Sequence, residues 1–208
     1  MVRAREIGKQ SNTNIRLATN LELDVLLRDG ASRDELRKYS YLWRTGTVYV
    51  HPYNNEAFAL DERGNICDYF YTLTAASIPK EALGKTGIAL VYENPKVEMK
   101  DGNVTVSAPP ESAIILHNTL QVSGWGEMDK ATGIPVLSKN IENVPEDQRR
   151  YLWRLKKQRI MPLVRGADFG VARSDIEARG WHLDHVAVAY VKELETNPNT
   201  ALENSQRP

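Results

Sequence analysis

Metal-ligating side chains crowd together at one place in this chain, Gly180-Trp181-His182-Leu183-Asp184-His185. Two imidazoles and a carboxylate are a donor set that suits zinc and its neighbours in the first transition row. On an alternating strand His182 and Asp184 share one face while His185 points to the other, so all three reach one ion only if the strand bends. A second set of reactive types is dispersed. Cys67 stands between Ile66 and Asp68, and His51 and His117 each fall at the end of a predicted strand. Brought together, they would supply a nucleophile and its base. A lone Cys in a strand is more commonly a small buried hydrophobe. Asp61, Glu111 and Asp129 are loop or strand-end carboxylates with no spacing that pairs them for acid–base work.

The His182, Asp184, His185 run resembles the latter part of the H-x-H-x-D-H ligand motif of metallo-β-lactamase-fold hydrolases, with Gly180 in place of the first His. The resemblance implies a metal-dependent hydrolase with these three residues as ligands, and that is one reading of the chain. Asp168-Phe169-Gly170 spells the magnesium-binding tripeptide of protein kinases, but no glycine-rich loop, His-Arg-Asp or strand lysine accompanies it, so no kinase chemistry is expected. Gly124-Trp125-Gly126 is too sparse for a phosphate loop. The leading expectation is therefore a non-enzymatic protein without a cofactor.

Charge gives that expectation its content. Lys and Arg total 27, as do Asp and Glu, so the formal net charge is zero. The balance is uneven along the chain. Residues 1–16 carry Arg3, Arg5, Lys9 and Arg16 against Glu6, and residues 144–173 carry eight cations against Glu146, Asp147 and Asp168. Everything else is acidic. A local field of this kind steers partners even when the whole molecule is neutral. No apolar run approaches the roughly 20 residues of a membrane span. Met1-Val2-Arg3-Ala4-Arg5-Glu6 has no apolar stretch behind it, which predicts no secretory leader. With Cys67 as the single cysteine, the expected location is cytoplasmic, or within a virion.

The elements follow from punctuation and periodicity. Residues 1–19 are polar and basic, an arm expected to order only when something holds it. A single α+β domain is predicted over residues 20–194, followed by a polar tail over 195–208. Asn20 opens a short helix to Arg28, and Ser32-Arg33-Asp34-Glu35 fits a capping box for a second helix to about Tyr39. Residues 41–123 form a β-rich body whose strands are predicted at 45–51, 56–60, 65–73, 87–93, 97–100, 104–107, 113–117 and 120–123. Asp101-Gly102 is its strongest hairpin signal. Residues 124–143 read as a long loop. The predicted fold class is α+β, mainly antiparallel β in a sandwich or barrel-like sheet, with short N-terminal helices and one longer basic C-terminal helix.

That helix is predicted over 145–161, opened by Pro145 and closed by Pro162. On a wheel of about 100° per residue, Tyr151, Leu152 and Leu155 form a core stripe. Trp153 lies on the far side among Arg149, Arg150, Arg154, Lys156 and Lys157. An aromatic among cations suits an acidic protein surface or a nucleic acid, where stacking and charge neutralisation act together. Alternatively, the basic stems lie over the acidic part of the same protein. The function expected is a structural or interaction protein, a subunit of a larger assembly such as a virus or phage particle. Its docking residues would be Arg3, Arg5, Lys9 and Arg16 with the basic helix, and its partners other proteins or further copies of itself. A nonspecific nucleic-acid-binding protein using the same residues is the second reading.

Overall fold

The protein is described by a computed structural model, which covers residues 14–40, 42–52, 54–120, 123–138, 140–153, 159–166, 171–173 and 186–192. The chain begins with β1 (Ile15–Leu17), inside the stretch expected to be an arm. Helix α1 (Asn20–Arg28) follows with the predicted bounds, although its N-cap is Thr19. Thr19 Oγ1 accepts from the Glu22 amide, and Glu22 accepts in turn from the Thr19 amide, a complete capping box. Asp29 then caps α2 (Gly30–Arg37) by accepting from Ser32 N, so this helix starts ahead of the predicted Ser32 cap.

Fifteen strands are described. They are β1, β2 (Leu42–Val50), β3 (Ile66–Cys67), β4 (Tyr71–Leu73), β5 (Ile88–Glu93), β6 (Lys96–Lys100), β7 (Asn103–Ser107), β8 (Ile114–His117), β9 (Gly124–Met128), β10 (Pro135–Val136), β11 (Arg149–Trp153), β12 (Ile160–Gly166), β13 (Val171–Arg173), β14 (Val186–Val188) and β15 (Tyr190–Lys192). The large sheet runs β10-β9-β11-β13-β12-β2-β5-β8, with β14 alongside β2. A four-stranded sheet runs β3-β4-β7-β6, and β1 pairs with β15. Most pairings are antiparallel; β11–β13, β4–β7 and β14–β2 are parallel. The mainly antiparallel α+β class expected from sequence is what the chain forms.

Both faces of the central strands are covered, which is why β5 reads as a near-continuous apolar run and β2, in spite of Thr45 and Thr47, is buried except at Arg44. Val48, Val50, Leu90, Tyr92 and Ile160 face Ile66, Leu73 and Val106 of the four-stranded sheet. Tyr49, Ala89, Val91, Met161 and Leu163 face the other way, onto Leu116, Leu120, Ile134 and Leu152. Beyond β8, Thr119 pairs with Val136 of β10, and the Leu137 amide donates to the Asn118 carbonyl at 2.7 Å. The two ends of the large sheet are thereby tied to each other. Helix α1 packs on β2 and β12, and Leu23 joins Ala18, Trp43, Ala187 and Val191 in a smaller core that binds the beginning of the domain to β14 and β15.

Three expectations are corrected. The helix predicted over 145–161 is a single 3-10 turn at Glu146–Gln148 followed by strand β11, and the chain is strand again from Ile160. Its good helix formers are overridden by pairing with β9 and β13. Arg150 and Leu152 are buried while Arg149 and Tyr151 are half-buried, an alternation of period two. The predicted loop over 124–143 contains β9 and β10; Gly126 is there because a Cβ would lie 2.2 Å from the Val136 carbonyl oxygen. Residues 56–60 form no strand, only a bridge from Leu60 to Ile66. The Asp101-Gly102 hairpin stands as predicted, both residues at positive φ and Lys100 opposite Asn103. No helix among the described residues is long and apolar enough to cross a membrane.

Candidate functional site

The four-stranded sheet carries two parallel apolar rows on the face turned toward the large sheet. Directly paired residues share a face, so Ile66, Leu73, Val106 and Val97 make one row and Tyr71, Val104 and Met99 the next. Ile66, Leu73 and Val106 are sealed in the core. The second row runs out from under the large sheet, and Met99 at its end is 76% exposed. Opposite stand Leu17, Val48 and Pro162, leaving an open groove of about 280 Å³ between the sheets. Arg44 lines it, whereas Lys96, Glu98 and Lys100 stand exposed on the opposite face of β6, the edge strand of the four-stranded sheet, with Lys96 paired to Glu98 at 2.6 Å. The groove thus has an apolar floor, with Arg44 as the cation among its described lining residues.

Pro162 shapes this groove. It lies where the pairing of β12 with β2 shifts register, a place where a missing amide costs no ladder bond. The ends of the groove are fixed by polar joints. Asp68 accepts from the amides of Phe70 and Tyr71 through Oδ1, and from Arg159 and Ile160 through Oδ2, at 2.7 to 3.1 Å. One carboxylate thus ties the β3–β4 turn to the start of β12. At the other end, the Asn94 side chain accepts from Leu17 N and donates to Leu17 O, filling the space that Gly46 leaves open.

The residues expected to bind are placed as follows. Arg16 lies in β1 and makes a two-pronged ion pair with Glu22, both contacts 2.7 Å. Its hydrogen bonds hold the Glu22 carboxyl down at about 2. Arg149 donates to the carbonyls of Val144 and Glu142. Arg150 is only 3% exposed and pairs with Asp24. Trp153 ends β11 opposite Arg173. Arg3, Arg5, Lys9, Arg154, Lys156, Lys157, His182, Asp184 and His185 lie outside the described residues, as does Asp168-Phe169-Gly170.

The dispersed nucleophile and bases stay dispersed. Cys67 donates to Asp61 and accepts from Thr72, and burial pushes its thiol pKa up, the wrong direction for a nucleophile. His51 is buried with its ring against the Pro52 carbonyl, and His117 is exposed at the end of β8. Asp61 and Asp129 are turn residues, each accepting from backbone amides two to four residues ahead. Among the described residues no three His, Cys, Asp or Glu side chains gather as metal ligands. The chain matches no known protein family, no curated protein and no solved structure.

Sequence reasoning missed the groove because its two rows are assembled by cross-strand register, which period-two patterning does not encode. It also missed Asp24. The available signal was a carboxylate one residue from Leu23 on the buried side of α1, with Arg28 four residues on.

Proposed function

We propose that this protein is a structural or interaction component of a larger assembly, a virus or phage particle being the specific reading, and that it docks a neighbouring subunit through the groove between its sheets. The observation that carries this is the Tyr71–Val104–Met99 row, which continues a sealed core outward to a largely exposed methionine. Contiguous apolar surface rimmed by charge is characteristic of contact sites. The occupant is an extended segment of a second copy, apolar on one side and acidic on the other, laid along β6. Its main chain would pair with the edge strand, its apolar side would continue the Met99 row, and its carboxylates would meet Lys96 and Lys100 on the opposite face of β6. The chain has acidic segments to offer, since the cations are concentrated in residues 1–16 and 144–173.

The large sheet is read as a barrel-like body supporting this surface, on the strength of the Thr119–Val136 closure and the apolar cluster within it. Light scattering at low and high ionic strength, with and without a generic oligonucleotide, tests the assignment. The expected result is mass above that of one chain without oligonucleotide, reduced to one chain by Met99→Glu. A single chain at high concentration that gains mass only on adding the oligonucleotide would overturn it in favour of the nucleic-acid reading.

A further inference from the structure

On the other side of the molecule, where α1 crosses β11 and β12, one carboxylate is surrounded by three guanidiniums. Asp24 is 2% exposed. Arg28 Nε donates to its Oδ2 at 2.8 Å, Arg150 grips both oxygens at 2.8 and 2.9 Å, and Arg165 Nη2 donates to Oδ1. Arg150 spends its remaining donors on the Asp147 and Arg149 carbonyls, and Arg28 also donates to the Asp147 carbonyl. Arg165 is different. It is 2% exposed, and its Nε and Nη1 have no hydrogen-bond partner among the described residues. Burial lowers its pKa and Asp24 only partly opposes this.

These side chains line a cleft of about 260 Å³, with Leu27 and Gly166 as its uncharged walls and Asp147 at its rim. Asp147 approaches Arg28 only to 3.8 Å and is more than two-thirds exposed, so solvent screens it. Among the described residues, the cleft itself therefore holds Arg28, Arg150 and Arg165 against Asp24, with Asp147 exposed at its rim. A buried ion pair offsets its desolvation when its charges and hydrogen bonds are matched, and a surplus of buried cations is costly. An anion that supplies the missing charge and acceptors removes that cost.

We propose that the Asp24–Arg28–Arg150–Arg165 cleft is a binding site for a dianionic phosphate group. Three guanidiniums around one buried carboxylate favour an oxyanion with several acceptor oxygens over a single carboxylate. Guanidiniums converging from a helix and two strands suit a group that accepts from several directions. The volume corresponds to several waters, more than a bare oxyanion fills, so an organic phosphate ester fits as well as the free ion. This site is independent of the groove between the sheets.

Calorimetry and thermal unfolding at constant ionic strength test the assignment on the whole protein, with inorganic phosphate, glycerol phosphate and acetate as probes. Phosphate is expected to bind and to raise the unfolding temperature, with acetate giving no more than sodium chloride. Arg28→Gln, at the partly exposed edge of the cleft, removes one charged donor and should weaken phosphate about tenfold while the protein stays folded. Arg165→Met should abolish binding if it folds. Tighter binding of glycerol phosphate would assign the site to an ester, and equal binding to the free ion; either upholds it. Phosphate acting no differently from chloride, or Arg28→Gln keeping the wild-type affinity, would overturn it.

Discussion

Asp68 does work that several residues usually share. Four backbone amides from two distant parts of the chain converge on its two oxygens, so removing them orphans donors on both sides of the joint. Asp68→Ala should cost about 2–4 kcal/mol in denaturant unfolding, since each unsatisfied buried donor carries a penalty of order 1–3 kcal/mol and part of this turn can rehydrate. Asp68→Asn keeps one carbonyl acceptor and should lose less. Cys67 offers a complementary test. Its thiol pKa is raised by burial, so alkylation near neutral pH should be slower than that of free cysteine. The inert Cys67 was legible from its place in a strand, but the joint made by Asp68 was not. Asp68 sits in a short polar stretch whose local pattern says only turn and strand, and two of its partners lie across the fold.

Gly126 sets how closely β9 and β10 approach. A methyl group there would meet the Val136 carbonyl oxygen and carbon, main-chain atoms that cannot rotate away. Gly126→Ala should therefore part the two strands and destabilise the protein by about 1–3 kcal/mol. Amide hydrogen exchange should rise first at Met128 and Val136, which lie on this edge. Elements with strong local signals were legible in the sequence. Helix α1 has its predicted bounds because a capping box fixes one end and Asp29-Gly30 the other, and the β6–β7 hairpin follows from Asp101-Gly102. Where the local and global preferences conflict, reading failed. The Arg149–Trp153 segment is made of residues compatible with a helix, and only its partners β9 and β13 make it a strand. Gly124 and Gly126 looked like loop residues because nothing local reveals that a neighbouring backbone comes so close.

For the molecule as a whole, two carboxylates near the start of α1 set opposite limits on pH stability. Burial raises Glu93 from its ordinary 4.5 to about 7, with the Thr47 hydroxyl donating to it. The folded state then holds a proton that the unfolded state releases between those values. Stability from this source is present below pH 4.5 and is lost as pH rises through 7, by at most about 3 kcal/mol. Glu22 works the other way, because its pKa of about 2 stabilises the fold above pH 4.5 and that contribution fades as pH falls toward 2. Unfolding midpoints in urea should thus peak near pH 4.5–5. Glu93→Gln should flatten the alkaline limb and Arg16→Gln the acid limb. The same region closes the domain, since β1 pairs antiparallel with β15, from Ile15 opposite Lys192 to Leu17 opposite Tyr190. Under tension this geometry behaves as a zipper. A pulling force applied at residues 15 and 192 loads the pairs one after another, beginning with Ile15–Lys192. The two-stranded clasp peels open at low force before the load reaches the large sheet.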